Sequence, residues 1–422
     1  MFYCVNGIAR RLQAFFNYLI PDHDAKVFNP PSIHPVGAVD HWINLLLEGF
    51  RRWDGVYFLH VAEHGYTYEN TLAFFPMLPV LAYVAANTVL LPLHLIANRM
   101  TVLLVAATII NLLLFVASAD VLYRLGRRVL GDEMLAYKAA QLYCINPASI
   151  FFSAAYSETC FAFFSFSGML CLEEGQTTGA TVFFGLGSFT RSNGLVNCGF
   201  VAYRAVKGWT ADVCDVWSRR AMDSKMRFTA IISTTACTTG VTFARLFVCI
   251  LPFLAFQYYA ACVFCNPDAS YRDLPLHVRN YGNALGYKMP YTGVARWCSA
   301  TLPLSYAHVQ ASHWEVGLFG YYELKQLPNF LLAAPMVALC AYAVVHFIHQ
   351  NPIFCASLGM YDGGDAATVD RKKVDDHVEV LGSTVVRSGL YHRLCFVYIV
   401  HMTCLTLFGV LFMHVQVRYV SS

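Results

Sequence analysis

The sequence predicts an all-α, polytopic membrane protein. Hydrophobic residues fill 57% of the 422 positions and charged residues only 13%, about half the roughly 25% that a soluble domain uses to cover its surface. Mean hydropathy is +0.48. Apolar runs close to the about 20 residues that cross a bilayer as a helix follow one another with short gaps. One transmembrane domain over residues 1–422 therefore fits better than several soluble ones. The formal charge of +3 is spread over many loops, and no Lys/Arg stripe interleaves with aromatics, which argues against nucleic acid as a partner.

In chain order, Met1–Ile20 is apolar but carries Arg10 and Arg11 in its middle and lacks a small-residue cleavage site. It reads as a defective signal anchor or an interfacial helix. Residues 21–71 form a first polar loop. Membrane helices are expected within 72–262, at Leu72–Ala97, Thr101–Tyr123, Ala139–Ala155, Thr159–Leu172, Gly179–Tyr203 and Gly240–Cys262. The third and fourth are short, and Asn146-Pro147 breaks or kinks the third. Broken helices at membrane depth are tolerated where they line a protein cavity. A second polar loop follows at 266–327, then a helix at 328–349 (Pro328–His349), a loop at 350–390 and a helix at 391–416 (Tyr391–Gln416). Within 350–390, Tyr361–Val380 has Gly363-Gly364 and mixed charge and reads as flexible.

Lys/Arg bias sets orientation. Arg204, Lys207, Arg219, Arg220, Lys225 and Arg227 mark one cytoplasmic loop, and Arg371, Lys372, Lys373, Arg387 and Arg393 another. Arg124, Arg127, Arg128 and Lys138 argue the same for theirs, and the two long polar loops fall on the opposite side. Three full spans between Lys138 and Arg204 would put two basic loops on opposite sides. One short segment is therefore expected to be re-entrant, or one loop to break the rule.

Most of the fifteen cysteines lie inside apolar runs and read as small core residues. Cys265 and Cys298 share the second polar loop; they are a candidate bridge if it faces an oxidising compartment, and two free thiols otherwise. Cys262 and Cys265 have redox spacing but no βαβ context.

The densest polar cluster is Trp53-Asp54 followed by Glu63-His64-Gly65-Tyr66. Asp54 is placed to cap a helix and Gly65 to end it. That helix is expected to lie along the membrane interface, with Trp53 and Tyr57 as anchors. A cap alone would explain Asp54. The chemical alternative is group transfer from a lipid phosphate, which needs a base for an acceptor hydroxyl and cationic or amide donors for the departing phosphate. Asp54 suits the base, with Glu63 competing. Arg191, inside an apolar run, is either a snorkelling cation or a phosphate holder, with Ser192 and Asn193 adding hydrogen bonds. Glu158, after Tyr156-Ser157, marks a turn or a site, and Gln257 is a buried polar group or a headgroup contact. His60-Val61-Ala62-Glu63-His64 spells the H-x-x-E-H metal-peptidase pattern, but a third ligand does not stand out, and such a pentapeptide arises by chance in a chain with 15 His.

At these residues the chain resembles the GPI mannosyltransferase 2, or PIG-V, family. The matching segments are Trp53-Asp54, Ala62–Tyr66, Ala73–Pro76, Asn146–Ala148, Ala155–Glu158, Arg191–Gly194, Phe256–Ala260, Trp314–Phe319, Tyr321–Gln326, Pro328–Pro335 and Met413–Val417, in one order from about Leu12 to Val417. The resemblance implies a GT-C glycosyltransferase-like helix bundle in the endoplasmic reticulum membrane with a luminal active site. It implies dolichyl phosphate mannose as donor, a mannosyl-glucosaminyl-phosphatidylinositol as acceptor, and inverting α-1,6 transfer of the second mannose without metal or cofactor. Asp54 matches the position of the catalytic acid of the first luminal loop. Trp53, His64, Tyr156, Glu158, Arg191, Asn193, Gln257 and Lys325 are the residues expected around the substrates; membrane lipid and an accessory membrane subunit complete the expected partners. Two departures accompany it. The first span of the family is fuller than Met1–Arg11, and members continue past Met413–Val417 into a luminal stretch and a final span, so this chain reads as a shortened form. The other readings weighed are a non-catalytic form that binds pathway partners and a polytopic lipid transporter. The transporter would predict charged residues paired across spans and inverted repeats, neither of which the sequence displays.

Overall fold

The computed structural model describes residues 28–219, 222–266, 274–290, 292–320, 322–360, 389 and 392–412, without the side chains of 147 and 325. The expected elements at Met1–Ile20 and Tyr361–Val380, and the Met413–Val417 segment, lie outside these residues. Those described form helices and turns with no strand among them, as the composition predicts. Among the described residues four helices are long and apolar enough to cross a membrane: Arg99–Leu130, Ser224–Phe264, Leu327–Gln350 and the segment Arg393–Phe412.

The chain enters through α1 (Ala38–Arg51) and α2 (Asp54–His64). The second of these is the one expected along the membrane interface. Helix α2 buries Phe58, Leu59, His60, Val61 and Ala62 in the core rather than lying on the surface, whereas α1 exposes Trp42 and Leu46. The cap expectation also changes: Trp53 holds the N-cap position with φ 55°, and Asp54 is the first helical residue, with no side-chain cap. Gly65 ends the helix at φ 76°, its N–H bonded to Val61 O, a conformation glycine adopts without strain.

Leu72–Ala97 is not one span. It resolves into a 3-10 turn (Glu69–Ala73), α3 (Met77–Asn87) and a second 3-10 turn (Leu91–Leu95). Helix α3 is about 16 Å long, short of a bilayer core of about 30 Å. Helix α3 stops at Thr88, whose backbone leaves the helical region (φ −123°, ψ −85°), and Pro92 then sits at the start of the second turn, where its missing N–H costs no hydrogen bond. The chain re-forms helix only where Asn98 caps α4 (Arg99–Leu130), its side chain accepting from Thr101 N at 2.9 Å.

Next come α5 (Glu133–Cys144), a 3-10 turn (Pro147–Phe152), α6 (Glu158–Glu173) and α7 (Thr177–Thr190). The expected span Gly179–Tyr203 breaks at Arg191, which is extended (φ −155°, ψ 149°). A 3-10 turn (Ser192–Asn197) reverses the chain into α8 (Cys198–Ser218). This break allows an even count of limbs. Between Lys138 and Arg204 the chain runs along four limbs, an even number: α5 with its turn, α6, α7 and α8. Arg124 Nη2 lies 3.3 Å from Glu174 Oε1 at one end of the bundle, and Arg191 meets Glu158 toward the other. The basic segments can therefore share one end with neither short helix turning back.

The long α9 (Ser224–Phe264) leads to α10 (Leu276–Leu285) and α11 (Ser305–Trp314), at the end away from Arg124 and Glu174. Cys265 and Cys298 are disulfide-bonded there, with Cα atoms 5.5 Å apart, a normal separation for a bridge. Cys262 remains a free, exposed thiol, so the redox-spaced pair is not a pair. Helices α12 (Leu327–Gln350), α13 (Pro352–Ala356) and α14 (Phe396–Phe412) complete the described fold. Lipid offers no hydrophobic drive between spans, so close approach holds them together. At Gly168 of α6 a Cβ would run into the Phe184 ring of α7, and at Gly185 it would come 2.9 Å from Val248 O of α9.

Candidate active site

Asp54, Tyr156, Glu158, Arg191 and Asn193, from three separate segments, line one cavity of about 650 Å3. Its remaining wall is mostly apolar, including Phe151, Phe161, Met169, Met336 and Leu405. Along α6 the lining runs from Glu158 to Met169, about 16 Å of helix. The cavity is thus polar at one extremity and apolar along its length.

The backbone around that extremity is pinned. Asn111, fully buried in α4, donates from Nδ2 to Tyr156 O at 2.9 Å and to Ala154 O. Tyr156 donates its hydroxyl to Arg52 O at 2.9 Å, tying the start of α6 to the entry of α2. Arg191 Nη1 donates to Ser157 Oγ at 3.2 Å and to Glu158 Oε1. The side chains of Arg191 and Glu158 stay 27% and 29% exposed, which leaves both reachable from the cavity. Glu158 Oε2 is buried and has no hydrogen-bond partner among the described residues, so it has spare accepting capacity.

Burial, reinforced by the Glu158 charge and opposed by Arg191, pushes the Asp54 carboxyl up to about 7. A carboxyl poised there is half ionised at neutral pH, the range in which a general base works best. The site therefore offers a base at neutrality, a cation for an oxyanion and a second carboxylate, beside a long apolar chamber.

The other expected residues lie elsewhere. Trp53 supplies the N-cap of α2 and is absent from the cavity lining. Glu63 is nine residues along α2 from Asp54, a rise of about 14 Å. Its Oε1 bonds His34 Nε2 at 2.6 Å and its Oε2 lies 3.5 Å from His64 Nε2. Glu63 and His64 line a separate recess of about 30 Å3. His60 turns its Nε2 to Thr67 Oγ1 at 2.7 Å, and burial keeps it well below the usual histidine range. His60, Glu63 and His64 of the pentapeptide border that one recess, but among the described residues no three His, Cys, Asp or Glu side chains are placed to hold a metal ion. Gln257 in α9 accepts from Ser305 Oγ at 2.9 Å and Tyr306 N at 3.1 Å, a loop anchor outside the cavity. Lys325 lies in a 3-10 turn (Leu324–Gln326).

Asn146, at the break expected to line a cavity, does so, whereas sequence reasoning missed Tyr398 and His401 on the cavity wall. His401 was detectable as an ionisable residue within an apolar run; its Nε2 pairs with Asn197 Oδ1 at 3.1 Å.

Comparison with known proteins places this geometry. A family model described as "Mannosyltransferase (PIG-V)" matches residues 3–422. GPI alpha-1,6-mannosyltransferase 2 of Rattus norvegicus is 37% identical over 96% of this chain and 77% of its own length. The Homo sapiens protein of that name is 36% identical over 97% of this chain and 78% of its own. GPI mannosyltransferase 2 of Drosophila pseudoobscura pseudoobscura is 34% identical over 96% of this chain and 83% of its own. No solved structure matches this chain. With a family match over nearly every residue and relatives above 30% identity along most of their length, the chain belongs to the PIG-V mannosyltransferase family.

Proposed function

We propose that the chain transfers an α-1,6-linked mannose, the second of the glycan, from dolichyl phosphate mannose to a mannosyl-glucosaminyl-phosphatidylinositol. The observation that carries the reading is the convergence of Asp54, Glu158 and Arg191 at the polar extremity of an otherwise apolar cavity. A donor made of a sugar phosphate on a long polyprenyl tail has the same division: the phosphate meets the Arg191 guanidinium and the first isoprene units fill the chamber. Asp54 takes the proton of the acceptor hydroxyl as its oxygen attacks the mannose C1. The C1–phosphate bond breaks on the opposite face, dolichyl phosphate departs with the bonding electrons, and the β linkage becomes α. Glu158 Oε2, without a protein partner, accepts from a sugar hydroxyl and holds Arg191 in place. In this scheme the guanidinium neutralises the leaving phosphate, the task a divalent ion performs for nucleotide-sugar donors, so no metal is required. We further place the site in the lumen of the endoplasmic reticulum within a GT-C-like bundle. Two observations support this: the Lys/Arg bias puts the arginine-rich end in the cytosol, and the Cys265–Cys298 bridge lies at the other end, where an oxidising compartment is needed.

The test is restoration of surface GPI-anchored protein in cells null for this enzyme, comparing the chain with Asp54→Asn at equal levels in the endoplasmic reticulum membrane. Rescue by the chain and not by the variant is expected. Rescue by both moves the base to Glu158, and rescue by neither overturns the transfer reading for this chain.

A further inference from the structure

Arg191 is held from the α6 side by Ser157 and Glu158; its residue is extended between a helix and a turn, with its N–H on Gly187 O and its carbonyl accepting from Gly194 N, which leaves the side chain that follows to be held from a second direction. The structure supplies that second hold from the loop that follows α9. Ser192, the next residue, donates its Oγ to the Tyr306 hydroxyl at 2.8 Å. Tyr306 is itself fixed twice. Its backbone N–H donates to Gln257 Oε1 at 3.1 Å, the oxygen that also accepts from Ser305 Oγ, and its ring packs edge-on against Phe75 at 5.4 Å. Gln257 is 4% exposed and belongs to α9, the longest described helix. A line of contacts thus runs from a rigid span through the start of α11 to the residue beside the guanidinium. None of Gln257, Tyr306 and Ser192 lines the cavity, so they act through Arg191 rather than on a ligand.

We propose that Tyr306 is a positioning residue for Arg191: by fixing Ser192 it sets where the guanidinium meets the phosphate of a polyprenyl phosphate. The inference rests on Arg191 being the phosphate holder. It makes α11, which follows Cys298, part of the donor site although none of that helix's residues lines the cavity.

The experiment uses the full chain, purified in detergent, and measures the Kd for dolichyl phosphate as well as the donor KM and kcat for mannosyl transfer. Tyr306→Phe keeps the ring on Phe75 and loses only the oxygen that accepts from Ser192. Ser192→Ala removes the donor of the same bond. Each is expected to raise Kd and donor KM about fivefold or more, with kcat at saturating donor and the unfolding temperature unchanged. The double variant is expected to be no worse than either single one, because both remove one coupling. Unchanged Kd in Tyr306→Phe, multiplied effects in the double variant, or an equal fall in unfolding temperature and affinity would overturn the proposal. A wild-type chain that binds dolichyl phosphate but transfers nothing would reject the transfer reading alone, with the Kd series still deciding the role of Tyr306. A wild-type chain that does not bind it rejects both.

Discussion

The Arg191 guanidinium donates to the Glu158 carboxylate where the end of α7 meets the start of α6. At both places a charge interrupts apolar runs of the sequence. The pair explains both interruptions at once: each charge would be costly alone among apolar helices and each is compensated by the other. It also fixes a cation at the cavity that can neutralise an oxyanion.

Replacing Arg191 tests that assignment. Arg191→Ala leaves Glu158 without its partner and the phosphate without its cation, and should lower kcat/KM for transfer by about 10²–10³. Arg191→Lys keeps the charge but loses the planar fork that reaches Ser157 and Glu158 together, and should cost roughly tenfold. Steady-state assays at matched protein levels check both values.

The pH dependence follows from Asp54. Its carboxyl is raised to about 7 by burial and by Glu158, against Arg191. A base works unprotonated, so kcat/KM should climb with pH through about 7 and level off above it. Glu158→Gln removes one of the raising causes, so the limb should move to lower pH, and Asp54→Asn should abolish it with a loss of about 10²–10⁴. The same shift has a stability consequence. The folded carboxyl holds its proton more tightly than the unfolded one, so this group favours the fold at low pH, and the increment is lost as pH rises through about 7. A pH series of thermal unfolding, wild type against Asp54→Asn, reads that sign directly.

Gly194 tests the reversal after Arg191. A Cβ there would collide with the backbone of Gly187 and Ser188, and a backbone cannot step aside as a flexible side chain can. Gly194→Ala should therefore destabilise by about 1–3 kcal/mol and displace Arg191. The expected outcome is a lower unfolding temperature together with a raised donor KM.

The disulfide closes a loop of sequence separation 33. Cross-links of this span stabilise by about 2–4 kcal/mol, mainly by restricting the unfolded chain. Cys265→Ser with Cys298→Ser should lower the unfolding temperature and weaken donor binding by loosening α11. Non-reducing peptide mapping of the wild type should recover the Cys265–Cys298 peptide pair.

Membrane character, helical class, the long spans at α4, α9, α12 and α14, the turn at Gly65 and the family were legible in the sequence. Each rests on a local property: apolar run length, a residue that adopts positive φ, or ordered motifs. Run length misled where proline or a buried charge decided the backbone. Pro76 caps the start of α3 and Thr88 leaves the helical region at its end, so Leu72–Ala97 falls into short pieces, and the demand that Arg191 reach Glu158 split Gly179–Tyr203 into two limbs. Asp54, Glu158 and Arg191 were each conspicuous along the chain, but nothing in their spacing joined them, because they are 33 residues or more apart from Arg191 and meet only after α2, α6 and α7 pack.

Tertiary structure alone separated Asp54 from Glu63. Along the sequence both are acids on one short helix; a rise of about 14 Å and opposite surroundings give Asp54 the cavity and Glu63 the histidines. It likewise turned Gln257 from a headgroup candidate into the anchor of Tyr306. The sequence determined the solvent and the class of chemistry, since composition and motifs are properties of the chain itself. The structure decided which charges share a cavity, because that depends on which helix ends are brought together and on the bonds that hold them there.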